Sequence, residues 1–146
     1  MTLLAAAAQE RIGLGGGITV LAPPALTGGA YSLYRIDLPP HAGGASPHFH
    51  RHFLESFTVL TGTVSLLDDG AWIGAGEGDH LVVPALGVHG FRNDTDAPAA
   101  LLMMSTPGAD RAAYFHELLT AGALSAEQWT ALYARHDQVM VPDPTA

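Results

Sequence analysis

The chain contains no cysteine and no lysine. Without cysteine there can be no disulfide framework and no thiolate metal site. Any metal must be held by nitrogen and oxygen donors, which suits Fe, Mn, Ni, Co, Cu or Zn. All six basic residues are arginines, scattered at Arg11, Arg35, Arg51, Arg92, Arg111 and Arg135 in a chain of formal charge −8. No basic patch exists to neutralise phosphates, so nucleic acid is not expected as a partner. Long apolar runs are also missing. None approaches the roughly 20 residues that a helix needs to span a bilayer, so no membrane partner is expected. Met1 to Glu10 carries an alanine tract but no basic segment. It reads as the start of a mature cytoplasmic protein and not as a signal peptide.

What is abundant is equally informative. Apolar residues make up 48% of the chain against 14% charged, which is enough to build a core and excludes a disordered polymer. Over 146 residues, one domain with one core is expected. Seventeen glycines and ten prolines imply many turns, favouring an all-β barrel over a helical bundle.

Residues 1–17 read as an N-terminal arm, with a helical turn or two over Ala5 to Arg11 ended by Gly15-Gly16-Gly17. Short strands are expected at Ile18 to Leu21, Tyr31 to Leu38, Ser56 to Leu60, Thr63 to Leu67, Ala71 to Ile73, His80 to Val83, Val88 to Asn93 and Ala99 to Ser105. Asp68-Asp69-Gly70 is a strong hairpin signal, because these residues tolerate positive φ. After Thr106-Pro107-Gly108 the pattern turns helical. Asp110 can cap one helix and Ser125-Ala126-Glu127-Gln128 is a capping box for a second. Val139 to Val141 reads as an extended tail packed on the barrel.

Chemistry concentrates in two stretches. On a strand, His48 and His50 point to the same face. Glu55 has the wrong parity for one unbroken strand, and a bend near Arg51-His52-Phe53 would turn it back toward them. His89, from a distant strand, is the candidate fourth ligand. Two or three imidazoles with one carboxylate make a metal site. Spacing alone also permits His50, His52 and Glu55 as the ligand set. Period two places Glu55, Phe57 and Val59 on one face, and His89, Phe91 and Asn93 on another. Phe57, Val59, His80 and Phe91 are therefore candidates to line a cavity. Barrel core is the competing role for the first, second and fourth, and a surface strand position for His80. His41, His116 and His136 suggest no function, and Tyr31, Tyr34 and Trp72 read as packing residues.

The first stretch spells Gly43-x4-His48-x-His50-x4-Glu55-x6-Gly62 and the second Gly78-x5-Pro84-x4-His89-x3-Asn93. Together they resemble the two motifs of the cupin superfamily, and in particular small single-domain bacterial cupins of the quercetin dioxygenase-like, conserved-barrel type. The first motif has one residue fewer than usual between its glycine and first histidine. In the second, the glycine usually found two places after proline is displaced by one, to Gly87. The resemblance covers roughly residues 18–106. It implies a double-stranded β-helix, the jelly-roll barrel, with 107–146 as a short C-terminal helical extension. It favours His48, His50, Glu55 and His89 as ligands of one divalent metal ion, with His52 exposed or behind them.

The resemblance also implies small-molecule substrates and a homodimer paired through sheet edges, which the apolar composition and short exposed strands support as well. The stretch Pro107-Gly108-x-x-Arg111-x-x-x-Phe115 resembles the C-terminal extension of many small bacterial cupins, and no chemistry is assigned to it. Three function classes follow. The first is a metal-dependent dioxygenase acting on a small aromatic or enolic metabolite, with Glu55 as ligand and proton acceptor. The second is a non-redox isomerase or polyketide cyclase, and the third a small-molecule-binding module without turnover.

Overall fold

In a computed structural model describing residues 1–146, two antiparallel sheets face each other. In chain order the strands are β1 (Arg11–Ile12), β2 (Ile18–Ala22), β3 (Ser32–Leu38), β4 (Ala45–Phe49), β5 (Leu54–Thr61), β6 (Val64–Asp68), β7 (Ala71–Ala75), β8 (His80–Val83), β9 (His89–Arg92), β10 (Ala99–Thr106) and β11 (Val139–Met140). Helices α1 (Arg111–Thr120) and α2 (Ala126–Arg135) lie between β10 and β11. One sheet has the order β1-β2-β3-β10-β5-β8 and the other β11-β4-β9-β6-β7. The chain is the expected all-β double-stranded β-helix with helices near its C-terminus. No helix is long and apolar enough to cross a membrane.

Strand β3 shows the period-two rule plainly: Ser32, Tyr34, Ile36 and Leu38 are buried and the residues between them are half-exposed. Its neighbour β10 contributes Leu101 and Met103, and β5 contributes Phe57 and Val59, to one core. Leu101 and Phe57 are almost wholly buried, so truncating either to alanine removes on the order of 3–5 kcal/mol.

The structure sharpens several expectations. The N-terminal arm is tied to the barrel. Its helical turn shrinks to Ala6–Ala8, and Arg11–Ile12 pair with Thr19 and Ile18 as an edge strand that buries Ile12. The bend before Glu55 is a crossing between sheets. β4 belongs to the five-stranded sheet and β5 to the six-stranded one, with Arg51–His52 as the corner. A side chain from β5 therefore meets those of β4 across the barrel. Gly44 (φ 58°) leads into β4 so close to β9 that a Cβ would overlap the Phe91 carbonyl oxygen.

The displaced glycine has a clear outcome. Leu86, two places after Pro84, takes the left-handed backbone itself (φ 71°), and its N–H donates to the His50 carbonyl at 2.7 Å. The turn geometry is thus achieved by a strained leucine, at a backbone cost of roughly 1–2 kcal/mol.

Candidate metal centre

Register builds the site. His48 on β4 stands directly opposite His89 on β9. His50 follows β4, just before the corner. Glu55, on β5 between Val83 of β8 and Ser105 of β10, faces the histidines from the opposite sheet. The ligand atoms of His48, His50, Glu55 and His89 all lie within 4.8 Å of one another, and all four residues are buried. Glu55 Oε2 is 3.0 Å from His89 Nε2 and 3.3 Å from His50 Nε2.

The outer nitrogens decide what the inner ones offer. His48 Nδ1 donates to the Ser46 carbonyl at 2.7 Å, His50 Nδ1 to the Asp137 carbonyl at 2.7 Å, and His89 Nδ1 to the Gly87 carbonyl at 3.0 Å. A carbonyl only accepts, so each Nδ1 carries a proton, and in the neutral, metal-binding form each ring turns an Nε2 lone pair inward. Three lone pairs and a carboxylate then crowd one dry spot. His50 Nε2 and Glu55 Oε1 have no hydrogen-bond partner there. As a neutral ring, His89 cannot donate both to Gly87 and to Glu55. A cation at the centre resolves both conflicts, so the donor set fits one divalent ion held by three nitrogens and one oxygen.

Electrostatics favours a neutral His48 and an ionised Glu55. Burial drives the His48 pKa well below the ordinary imidazole value, reinforced by the neighbouring His89 and His50 and offset by Glu55. Burial pushes the Glu55 carboxyl up, but positive charge and proton donors facing it, from His50 and His89 when no cation is present and from Arg111, prevail. The result lies well below the ordinary carboxylate range. A neutral imidazole and an ionised carboxylate are the forms that bind metals.

A cavity of about 420 Å³ opens beside the cluster, with His48, Glu55 and Arg111 on its wall. Ile36, Leu38, Phe91, Met103, Phe115 and Leu118 make it largely apolar. Of the expected lining residues, Phe91 is on this wall. Phe57 and Val59 are not: both are buried in the core, with the Phe57 ring 5.6 Å from that of His89. His80 lies outside altogether. On β8 it shares the outward face with exposed Val82 while Val83 is buried, and its ring pairs with Thr58 Oγ1 at 2.7 Å. The alternative ligand His52 is also outside, its side chain 78% exposed and its Nδ1 3.1 Å from Asp137 Oδ2. His41, His116 and His136 pair with Asp96, Glu10 and Glu117 away from the cluster.

Sequence reasoning missed the contribution of the C-terminal extension. Asp137 supplies the carbonyl that orients His50, and its carboxylate accepts from the Arg51 and His52 backbone N–H groups at 2.9 Å each. Strand β11 pairs Met140 with His48. Arg111, at the start of α1, is 4% exposed and reaches to 3.8 Å from Glu55 Oε1. The stretch from Pro107 to Phe115 was the only available signal for it.

Comparison with known proteins agrees with this fold. Residues 34–105 match the family model described as "Cupin domain". No curated protein matches the chain in sequence. Among solved structures, a sugar phosphate isomerase from the cupin superfamily of Silicibacter pomeroyi DSS-3 is 28% identical. Its TM-score is 0.60, over 72% of this chain and 75% of that one. KdgF from Halomonas sp. is 16% identical with a TM-score of 0.65, over 77% of this chain and 98% of that one. The polyketide cyclase RemF from Streptomyces resistomycificus is 20% identical with a TM-score of 0.61, over 73% and 80% respectively. The last two likenesses concern the fold alone. Residues 34–105 are thus a cupin domain, and the double-stranded β-helix built by them and the flanking strands is the fold of the cupin superfamily.

Proposed function

We propose that the protein is a metal-dependent enzyme acting on a small aromatic or enolic metabolite, and that its reaction is a dioxygenation of the quercetin dioxygenase type. The observation that carries the reading is the convergence of three unprotonated imidazole nitrogens and one carboxylate beside an apolar cavity. A divalent ion held by His48, His50, Glu55 and His89 would supply a Lewis acid and, if redox-active, a route for electrons to dioxygen. Apolar walls exclude water and favour a flat, weakly polar substrate over a sugar. Arg111 is the one arginine on the wall, and it is already engaged by the protein. The cavity therefore has no cation cluster for a phosphate, which separates this reading from the Silicibacter protein's named activity. Ionised Glu55 can accept a proton from a substrate hydroxyl once its contacts with His50 and His89 loosen.

Non-redox isomerisation or cyclisation is the second reading, favoured by the 28% identity to a protein named as an isomerase. One experiment separates the two. The protein is loaded in turn with Fe, Mn, Ni, Co, Cu and Zn, then offered flavonols and enolic diketones in air and under argon. Oxygen uptake matched to product formation is the expected result. Turnover that persists under argon supports the second reading. No turnover with any metal leaves a binding module.

We further propose a homodimer as the working assembly. Edge strand β8 and the turn after it leave Val82, Leu86 and Val88 exposed, an apolar edge that a second copy can cover. Light scattering at micromolar concentration should give twice the monomer mass, and a monomer mass overturns the proposal.

A further inference from the structure

Arg111 is a buried cation with little to neutralise it. Its Nη1 donates to the His136 carbonyl at 3.1 Å and its Nη2 to Gln138 Oε1 at 2.8 Å. Both acceptors are neutral and both lie in the C-terminal extension. The guanidinium also sits 4.2 Å from the centre of the Tyr114 ring. These contacts fix the plane of the side chain and leave Nε, the donor facing the barrel, without a partner. Glu55 is the only carboxylate within ion-pair distance, at 3.8 Å from Nε to Oε1.

Glu55 shows the complementary deficit. Oε2 is turned to His50 and His89, whereas Oε1 is buried and unpartnered. Both orphan atoms are buried from bulk solvent. Two opposite charges in a dry site, each short of one hydrogen bond and facing the other, form a unit. Removing one leaves the other uncompensated.

We propose that Arg111 is a positioning residue for Glu55: from the C-terminal extension it holds Oε1 by charge, and so keeps Oε2 turned to the His50 and His89 Nε2 atoms. The extension thereby completes the ligand set without supplying a ligand. The proposal rests on the metal reading above and adds to it a residue outside both motifs. Lysine would keep the charge but lose the planar fork that Gln138 and His136 grip.

The test is a double-mutant cycle read by Co²⁺ affinity. The proteins are the wild type, Arg111→Met, Arg111→Lys, Glu55→Gln, and each Arg111 variant combined with Glu55→Gln. We expect Arg111→Met to weaken Co²⁺ binding about 10–100-fold, the range for residues that orient metal ligands, and Arg111→Lys to recover part of the loss. In the Glu55→Gln background both Arg111 changes should shift affinity less than about twofold, because the charge through which Arg111 acts is gone. Hydrogen exchange over 126–141 reports whether the extension stays docked. Arg111→Met with wild-type affinity overturns the proposal. So does an equal loss in the Glu55→Gln background, which would make Arg111 a clip for the extension only. Should Arg111→Met fail to fold, the lysine pair carries the same comparison. A wild type that binds no Co²⁺ removes the metal reading and this proposal together. Binding that is insensitive to Arg111 removes this proposal alone.

Discussion

His48 and His89 stand opposite each other on adjacent strands, with their ring centres 4.3 Å apart. Their placement depends on the β4–β9 register, which contains an irregularity between Ala45 and His48. Metal retention should therefore be acutely sensitive to His89. A bound ion that ignores the unfolded chain stabilises the native state by about 2.7 kcal/mol at a hundredfold excess over its dissociation constant. Chelation should lower the melting temperature of the wild type, and His89→Ala should abolish both the metal and the chelator effect. Elemental analysis with thermal melts checks this, and full occupancy in the variant would refute the site.

Glu55→Gln preserves size and an oxygen donor but removes the charge and the base. If the three histidines suffice to hold the ion, turnover should fall far more than metal content, by at least the roughly hundredfold expected for a lost general base. Oxygen uptake per bound metal is the measurement. A metal-loaded variant with the wild-type rate would eliminate Glu55 as the proton acceptor.

Acid should destabilise the metal-free protein in two stages. The folded His48 pKa is lowered, so between that value and the ordinary 6.5 the unfolded chain binds the extra proton. Stability is full above the ordinary value and falls as pH drops below it. Glu55, also lowered, has the same sign, and its share is lost as pH falls below about 4.3. Melting curves in chelator across pH 4 to 8 should show the upper stage flatten in His48→Gln. An unchanged upper stage would assign it elsewhere.

Leu86→Gly should raise stability. Leucine there holds φ at 71° and the residue is 64% exposed, so relief of backbone strain outweighs lost packing. Set against glycine's greater freedom in the unfolded chain, a net gain of roughly 0.5–1 kcal/mol is expected in denaturant titrations. A loss would show that the leucine is covered in the working assembly.

Gly44→Ala should do the opposite. The added methyl meets the Phe91 carbonyl and the backbone is left-handed, so roughly 2 kcal/mol or more should be lost. Because Gly44 lies on the cavity wall with Phe91, substrate affinity should fall with it. Equilibrium unfolding alongside KM tests both.

Why some features were legible and others hidden follows from range. Strand β8 was readable as His80–Val83 because its residues favour strands, but four residues with apolar side chains on both faces do not say which face is inward. His80 was consequently ambiguous until Val83 was seen buried. The four clustered residues were readable because two motifs resembling those of the cupin superfamily contain them, whereas spacing alone left His52 open. Arg11–Ile12 was too short for any period to register. The roles of Arg111 and Asp137 were invisible for another reason: the His50–Asp137 contact joins residues 87 apart, and no local pattern encodes such a meeting.

Asp137 draws a boundary different from that of the family match. The match ends at residue 105, yet this later aspartate, in a left-handed conformation (φ 51°), fixes the His50 ring and ties down the corner after β4. A chimaera that transplanted only the matched segment would carry all four residues of the cluster and leave two orienting partners, Asp137 and Arg111, behind. For exchange between proteins, the transferable unit runs through β11.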